Sequence, residues 1–525
     1  MKRIAAISSA VLAAGLVGSG ASMGADWLSA GQNLNNSRFQ SDETKISKTT
    51  VGALQLKWIV NTDGDVTANP AVDGDFIYFP DSAGFLYKVN RNTGVIVWKR
   101  PVSDYTGIAD DNARGTPAVA GNALILGNQS GKFVQAFGQP APQAARAFAV
   151  DKHTGDKLWA TQIDATSMSM ATASPLVFKG VAYVGVASNE ELIAGFVPKV
   201  FGWQFQFRGS VVALDVATGA IKWTTNTVPA GYFGGSVWGG IGSIDAKRNT
   251  LYVASGNNFA VPDSAQSCLT RGGSPAACLA ADDYFDSIIA MDLKTGAIKW
   301  GQRGLPYDAW NVGCGLVAQG FVVPPNDNCP NPHGPDYDFA QGPMLFGGDD
   351  DGDGSRVGAG QKSGVFWSFK AEKGKLDWSK QVSPGGVTGG MQWGSASDGK
   401  RIYVSASNAG QSDGTPPSPW KLKNGSVVSS GGWASLDKKG NVLWTTADPV
   451  GSRAEAAVSV ANGVVFGCNL AGWMYAFNAA NGAVLWSNNS GAPCNAGPSI
   501  ADGMVYWGSG TFRGTGAKKV FAFGL

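Results

Sequence analysis

Short apolar runs, roughly five residues long and often ending in Asp or Asn, recur through this chain with turn residues between them. The run Val211 to Asp215, a turn ending at Gly219 and then Ile221 to Trp223 is one example. The same phrase, a strand followed by Gly-x-x-x-Trp, is written seven times, at Gly94/Trp98, Gly155/Trp159, Gly219/Trp223, Gly296/Trp300, Gly374/Trp378, Gly440/Trp444 and Gly482/Trp486. A glycine turn between two short runs predicts a hairpin, and each tryptophan adds a large apolar body. Upstream of many copies lies a second hairpin pattern, as in Pro70 to Phe79 and Pro498 to Trp507. Two hairpins make four strands, and recurrence at roughly 40–80 residues predicts an array of such units.

The two ends complete one another. Lys519 to Gly524 reads as a third strand with no tryptophan strand after it, and Leu54 to Val60, carrying Trp58, as a tryptophan strand with no hairpin before it. Joining them closes a ring and removes exposed edge strands. The expectation is an all-β protein, an eight-bladed β-propeller of four-stranded antiparallel blades closed by its terminal strands. It occupies residues 26–525 as one domain, because a propeller grows by blades rather than by enlarging one core.

Composition agrees with short strands and many turns: 73 glycines, 18 tryptophans and 15% charged residues. The net charge of +2 and the lack of a basic stripe argue against nucleic acid and against an anionic membrane surface. Residues 1–25 read as a secretory signal, with Lys2 and Arg3 before the apolar run Ile4 to Val17. That run is too short to span a bilayer, and no cysteine follows the exit, so neither a membrane anchor nor a lipid anchor is expected. The expected location is the periplasm or the exterior. The six cysteines allow fifteen pairings. Nearest neighbours give Cys268–Cys278, Cys314–Cys329 and Cys468–Cys494. No Cys-x-x-Cys-His encodes a covalent haem, and two histidines leave little for a Ser-His-Asp or His-rich zinc site.

The blade repeat and several motifs resemble the quinoprotein alcohol dehydrogenases, propellers that hold pyrroloquinoline quinone (PQQ) and calcium on the ring axis. Gly389-Gly-Met-Gln-Trp-Gly394, Val357 to Gly364 and Gly497-Pro-Ser-Ile are most similar to the polyvinyl alcohol dehydrogenases. The resemblance implies calcium ligands at Glu190, with Glu191 able to substitute, and at Asn257, both just past strand ends. Hard oxygen donors suit that ion. It implies a flat aromatic floor for the quinone at Trp238, which stands outside the blade repeat, and polar contacts to the cofactor's carboxylates from Arg114 and Thr172. Lys362 matches the cation that hydrogen-bonds the reactive carbonyl.

Departures from the family also shape the expectation. Its base follows a tryptophan in Asp-x-Trp-Asp, whereas this chain has Asp308-Ala-Trp-Asn311. An amide cannot take a proton from an alcohol, so Asp308 is the expected base and Asn311 a metal- or cofactor-facing oxygen. No Cys-Cys pair precedes Arg114. The acidic loop Asp349 to Gly354 lacks the last acidic ligand of an EF-hand and reads as a solvated turn. The implied activity is oxidation of an alcohol, a polymeric secondary alcohol if the subgroup holds, with electrons leaving to a separate periplasmic cytochrome c. Two alternatives are a non-catalytic propeller, acting as scaffold or polymer-binding protein, and a propeller that binds PQQ without turnover because its base is lost. The aromatic stretch Phe196 to Phe207 is either local packing or a substrate-contacting lip.

Overall fold

A computed structural model describes residues 25–129, 144–240, 242–318, 321–348, 354–511 and 514–525. The leader and the acidic residues Asp349 to Asp353 lie outside the described residues. Eight antiparallel sheets of four strands run through 71–101, 118–162, 176–226, 243–303, 344–381, 396–447, 459–489 and, last, 499–524 joined to 55–61. They form the eight blades of a propeller. In the fourth blade the order is Ser243–Asp245, Thr250–Ala254, Ser287–Asp292 and Ile298–Arg303, with the tryptophan strand outermost. The ring closes as expected: Gln55–Asn61 pairs with Lys519–Gly524, and Trp58 faces Ala522. The three nearest-neighbour disulfides are present.

The repeated phrase has a local cause. In the third blade's turn the Asp215 carboxylate accepts from the backbone N–H groups of Ala217 and Thr218, while Gly219 takes the left-handed φ of 72° that ends the turn. Asn90, Asp151 and Asp292 do the same in their blades. The glycine has a second duty. A Cβ built on Gly219 would stand 2.5 Å from the Trp159 ring of the preceding blade, and Gly296 and Gly482 meet Trp223 and Trp444 as closely. Each indole N–H then donates to a carbonyl of the next blade, from Trp58 to Arg91 (3.0 Å) through Trp444 to Ala479 (3.0 Å). At the seam Trp486 donates to Leu54 (3.0 Å), so the girdle runs unbroken across the joint.

The inner face holds an element the pattern does not announce. Residues 26–40 run around the axis and bond to the short inner strands in turn. Trp27 exchanges two backbone bonds with Val72, and Leu28, Leu34, Asn35, Ser37 and Arg38 accept from Val119, Ile244, Leu345, Ser397 and Val460. Phe39–Gln40 lies parallel to the seventh blade, and Gln40 Nε2 donates to Ile500 of the eighth. Leu34 also packs on the apolar cluster shared by the third and fourth blades. This strap floors the axial cavity.

Candidate cofactor and reaction site

Above the strap the cavity is lined by Arg38, Asn69, Arg114, Thr172, Trp238 and Trp393, among others. Trp393 is held at φ 63°, a conformation costly for a bulky side chain and characteristic of functional sites. Its ring meets Trp238 edge-on, with centroids 5.2 Å apart, and carries the Arg114 guanidinium 4.2 Å from its centroid. Thr172 Oγ1 is buried without a hydrogen-bond partner among the described residues, as is Ser236 Oγ. A buried hydroxyl without a partner is uncommon unless a ligand or water completes it.

Lys362 lies 5.4 Å from the Trp238 ring centroid, and its Nζ is 2.8 Å from both Asp336 Oδ1 and Asp338 Oδ2. Burial alone would lower the lysine pKa, but Asp336, Asp338 and Glu191 raise it, so the ammonium stays charged. Asp338 is pinned further: Oδ1 accepts from Asn257 N (2.6 Å) and Oδ2 from Trp238 Nε1 (3.2 Å). Asp336, at φ 60°, gives only Oδ1 to the lysine. No hydrogen-bond donor is found for its Oδ2 among the described residues. Burial pushes the Asp336 carboxyl well up, against the pull of Lys362.

Several expected positions gather here. Arg114, Thr172 and Trp238 line the cavity, and Lys362 and Asn257 stand beside Trp238 through Asp338. Glu190 does not join them. The strand Val181–Ser188 runs into the short helix Glu190–Ile193, and successive residues of a helix point about 100° apart. Glu190 is engaged elsewhere: its buried carboxylate accepts from the backbone N–H groups of Gln206 and Phe207, and burial raises it to about 7. Glu191 faces Asn257, Asp338 and Lys362 instead, and burial raises it to about 8.

Asn311 is likewise committed elsewhere. Its Oδ1 caps the turn Val312–Cys314 by accepting from Gly313 N (2.8 Å), and its Nδ2 donates to Phe259 O and Asn328 O. One lone pair of Oδ1 is thereby committed to the turn. Asp308 is fully buried, and its two oxygens accept from Asp336 N (3.2 Å) and Tyr337 N (2.7 Å). It holds the backbone of the Asp336–Asp338 segment, with the unsatisfied carboxylate of Asp286 beside it; burial raises Asp308 to about 6. Gly334 permits this, since a Cβ there would meet Asp308 Oδ1 at 2.1 Å.

Sequence reasoning missed Asp336, Asp338, Trp393 and Arg38. Asp336-Tyr-Asp338 sits at the end of a long excursion, where an Asp-x-Asp before a strand was the available signal. Among the described residues no three His, Cys, Asp or Glu side chains converge as a metal cluster; the carboxylates converge on Lys362.

An axial cavity lined by Trp238 and Trp393, inside eight tryptophan-girdled blades, defines a PQQ-type propeller. The family model described as outer membrane protein assembly factor BamB matches residues 47–302 and 429–519, and the chain belongs to that family. Among individual proteins, it is 28% identical to a polyvinylalcohol dehydrogenase of Pseudomonas sp., over 92% of this chain and 73% of that one. It is also 28% identical to the polyvinylalcohol dehydrogenase of Sphingopyxis sp. strain 113P3, over 94% of this chain and 75% of the relative. The crystal structure of the quinohemoprotein alcohol dehydrogenase of Comamonas testosteroni superposes with a TM-score of 0.68 at 20% identity, covering 95% of this chain and 80% of that one.

Proposed function

We propose that this chain is a PQQ-dependent alcohol dehydrogenase of the polyvinyl alcohol type, oxidising secondary alcohols in the periplasm and passing electrons to a cytochrome c. The observation that carries this reading is the buried Lys362, charged between two carboxylates and set against Trp238 beside an aromatic cavity. Burying charges costs several kcal/mol even when they are paired, and a scaffold role gives no reason to place such a cluster beside the cavity. The residues fit PQQ: Trp238 offers a flat face, Arg114 a fork for carboxylates, and Thr172 a buried hydroxyl that lacks a partner. Glu191 and Asn257 are the adjacent oxygen donors for calcium, in place of Glu190.

When bound, PQQ supplies the two-electron oxidant for the alcohol. Lys362 keeps a permanent positive charge at the site and orients Asp336 and Asp338. Asp336 takes the place of Asp308 as the base: Oδ1 is fixed by the lysine, and Oδ2 accepts the proton of the substrate hydroxyl. Asp308 positions Asp336 through its backbone N–H. The burial of the cluster excludes bulk water and strengthens each of these contacts.

Dye-linked oxidation of polyvinyl alcohol and of a small secondary alcohol, with PQQ and calcium each added or withheld, tests the reading. Turnover that needs PQQ supports it, and the preferred substrate separates polymer from small alcohol. A second reading, a non-catalytic scaffold, draws on the description of the matching family model. It requires that the purified chain bind no PQQ at all.

A further inference from the structure

Arg38 is a cation without an anion. It rises from the strap into the axial cavity, is 5% exposed, and forms no ion pair among the described residues. Among the described residues its two hydrogen bonds go to neutral acceptors, Nη1 to Asn69 Oδ1 (3.3 Å) and Nη2 to Trp393 O (3.1 Å), and its Nε–H has no partner. Burial lowers the guanidinium pKa to about 10, with no acidic group to oppose it. The residues lining the cavity include Arg38 and Arg114 and no Asp or Glu among the described residues. Trp393 links the two: its carbonyl receives Arg38, and its ring carries Arg114. The arginine is held tightly too, for a Cβ on Gly394 would meet Arg38 Nε at 2.2 Å. An isolated buried charge is expensive, and proteins keep one where a partner arrives from outside.

We propose that Arg38 is an anion-binding residue, and that the floor of the axial cavity takes a carboxylate-sized anion on its unpaired Nε–H and forked guanidinium. The anion has two possible sources, a carboxylate group of the bound cofactor or a free small anion seated beneath it. The first rests on the function proposed above, and the second stands without it. Planar, two-pronged recognition of a carboxylate is what a guanidinium does and a lysine does not.

The test uses the whole chain and Arg38→Gln, with two readouts at pH 7.5. PQQ affinity is followed by quenching of tryptophan fluorescence, and Tm is followed as formate replaces the bulky Hepes anion at constant ionic strength. If the cofactor supplies the carboxylate, R38Q binds PQQ about tenfold or more weakly, the loss expected for a hydrogen bond to a charged group. If a free anion does, formate raises the Tm of the wild type and not of R38Q, while PQQ affinity is unchanged. Equal PQQ affinity and equal formate response in the two proteins overturn the assignment. A wild type that responds to formate but binds no PQQ removes the proposed function and leaves Arg38 in place. Should R38Q fail to fold, Asn69→Asp replaces it, putting a carboxylate within the chain where Nη1 already bonds. N69D is expected to show the same losses, and wild-type behaviour from N69D overturns the proposal.

Discussion

At the rim one hydrogen bond is made eight times and one glycine seat seven times; the axial site is built from contacts made once. Each outer tryptophan seats on the next blade and donates its N–H to a carbonyl there, so the girdle is a sum of near-identical terms. The axial site is assembled from single residues of different blades and loops, with a strained Trp393, a strained Asp336 and unpartnered buried atoms. Regular blades make the ring; exceptions to the pattern, held by that ring, make the chemistry. The contrast predicts that substitutions divide cleanly, with rim changes altering stability at constant turnover and axial changes altering turnover at nearly constant stability.

The largest expected effect is on the axis. Asp336→Asn should lower kcat by about 10²–10⁴-fold while PQQ binding is retained, the range for losing a general base. Asp308→Asn acting as strongly on kcat, with D336N harmless, would return the base to Asp308. At the rim, Gly219→Ala combines a left-handed φ with a 2.5 Å approach to Trp159. It should cost about 1–3 kcal/mol in urea unfolding and leave kcat per folded molecule unchanged. Trp486→Phe, which removes the N–H at the seam and part of the ring that packs on Phe523, should cost about 1–2 kcal/mol. A much larger loss would mean that the seam carries more than one blade contact.

The smallest effect is a pH dependence. Burial raises Asp283 and Glu190 to about 7, above their ordinary carboxyl values, so the folded chain holds those protons more tightly than the unfolded chain. Their contribution to stability is full below the unfolded values near pH 4 and is lost as pH rises through 7. Tm should therefore fall between pH 5 and pH 8, and Asp283→Asn should flatten that slope. An unchanged slope in the variant would assign the dependence to other groups.

The ring was legible because its signal is periodic and redundant: Trp58 at one end and Lys519 to Gly524 at the other declared the joint without any structure. The strap was not. Leu28 to Arg38 has no strand period, since its backbone bonds go to a different blade every few residues and its side chains need not alternate. At the site, motifs placed Trp238, Arg114 and Lys362 beside one another, yet they could not decide which of two adjacent glutamates turns inward. That choice is made by Gln206 and Phe207, whose backbone N–H groups capture Glu190. Asn311 follows the tryptophan where the resemblance implies a base, and its amide caps a turn there. Asp336 lay at the end of an excursion whose return path only the folded chain reveals.

The strap sets an order of events. Its inner-strand partners run from Val72 to Ile500, and the closing strand 55–61 must wait for 519–524. Pairings so distant along the chain are slow to find. Cavity walls and floor therefore come into being together, late, when the ring shuts. A ligand has no half-built pocket to enter, so capture belongs to the finished molecule. Its escape through the floor would require peeling the strap from one blade after another, which makes residence time a property of residues 26–40 as much as of the side chains that touch it.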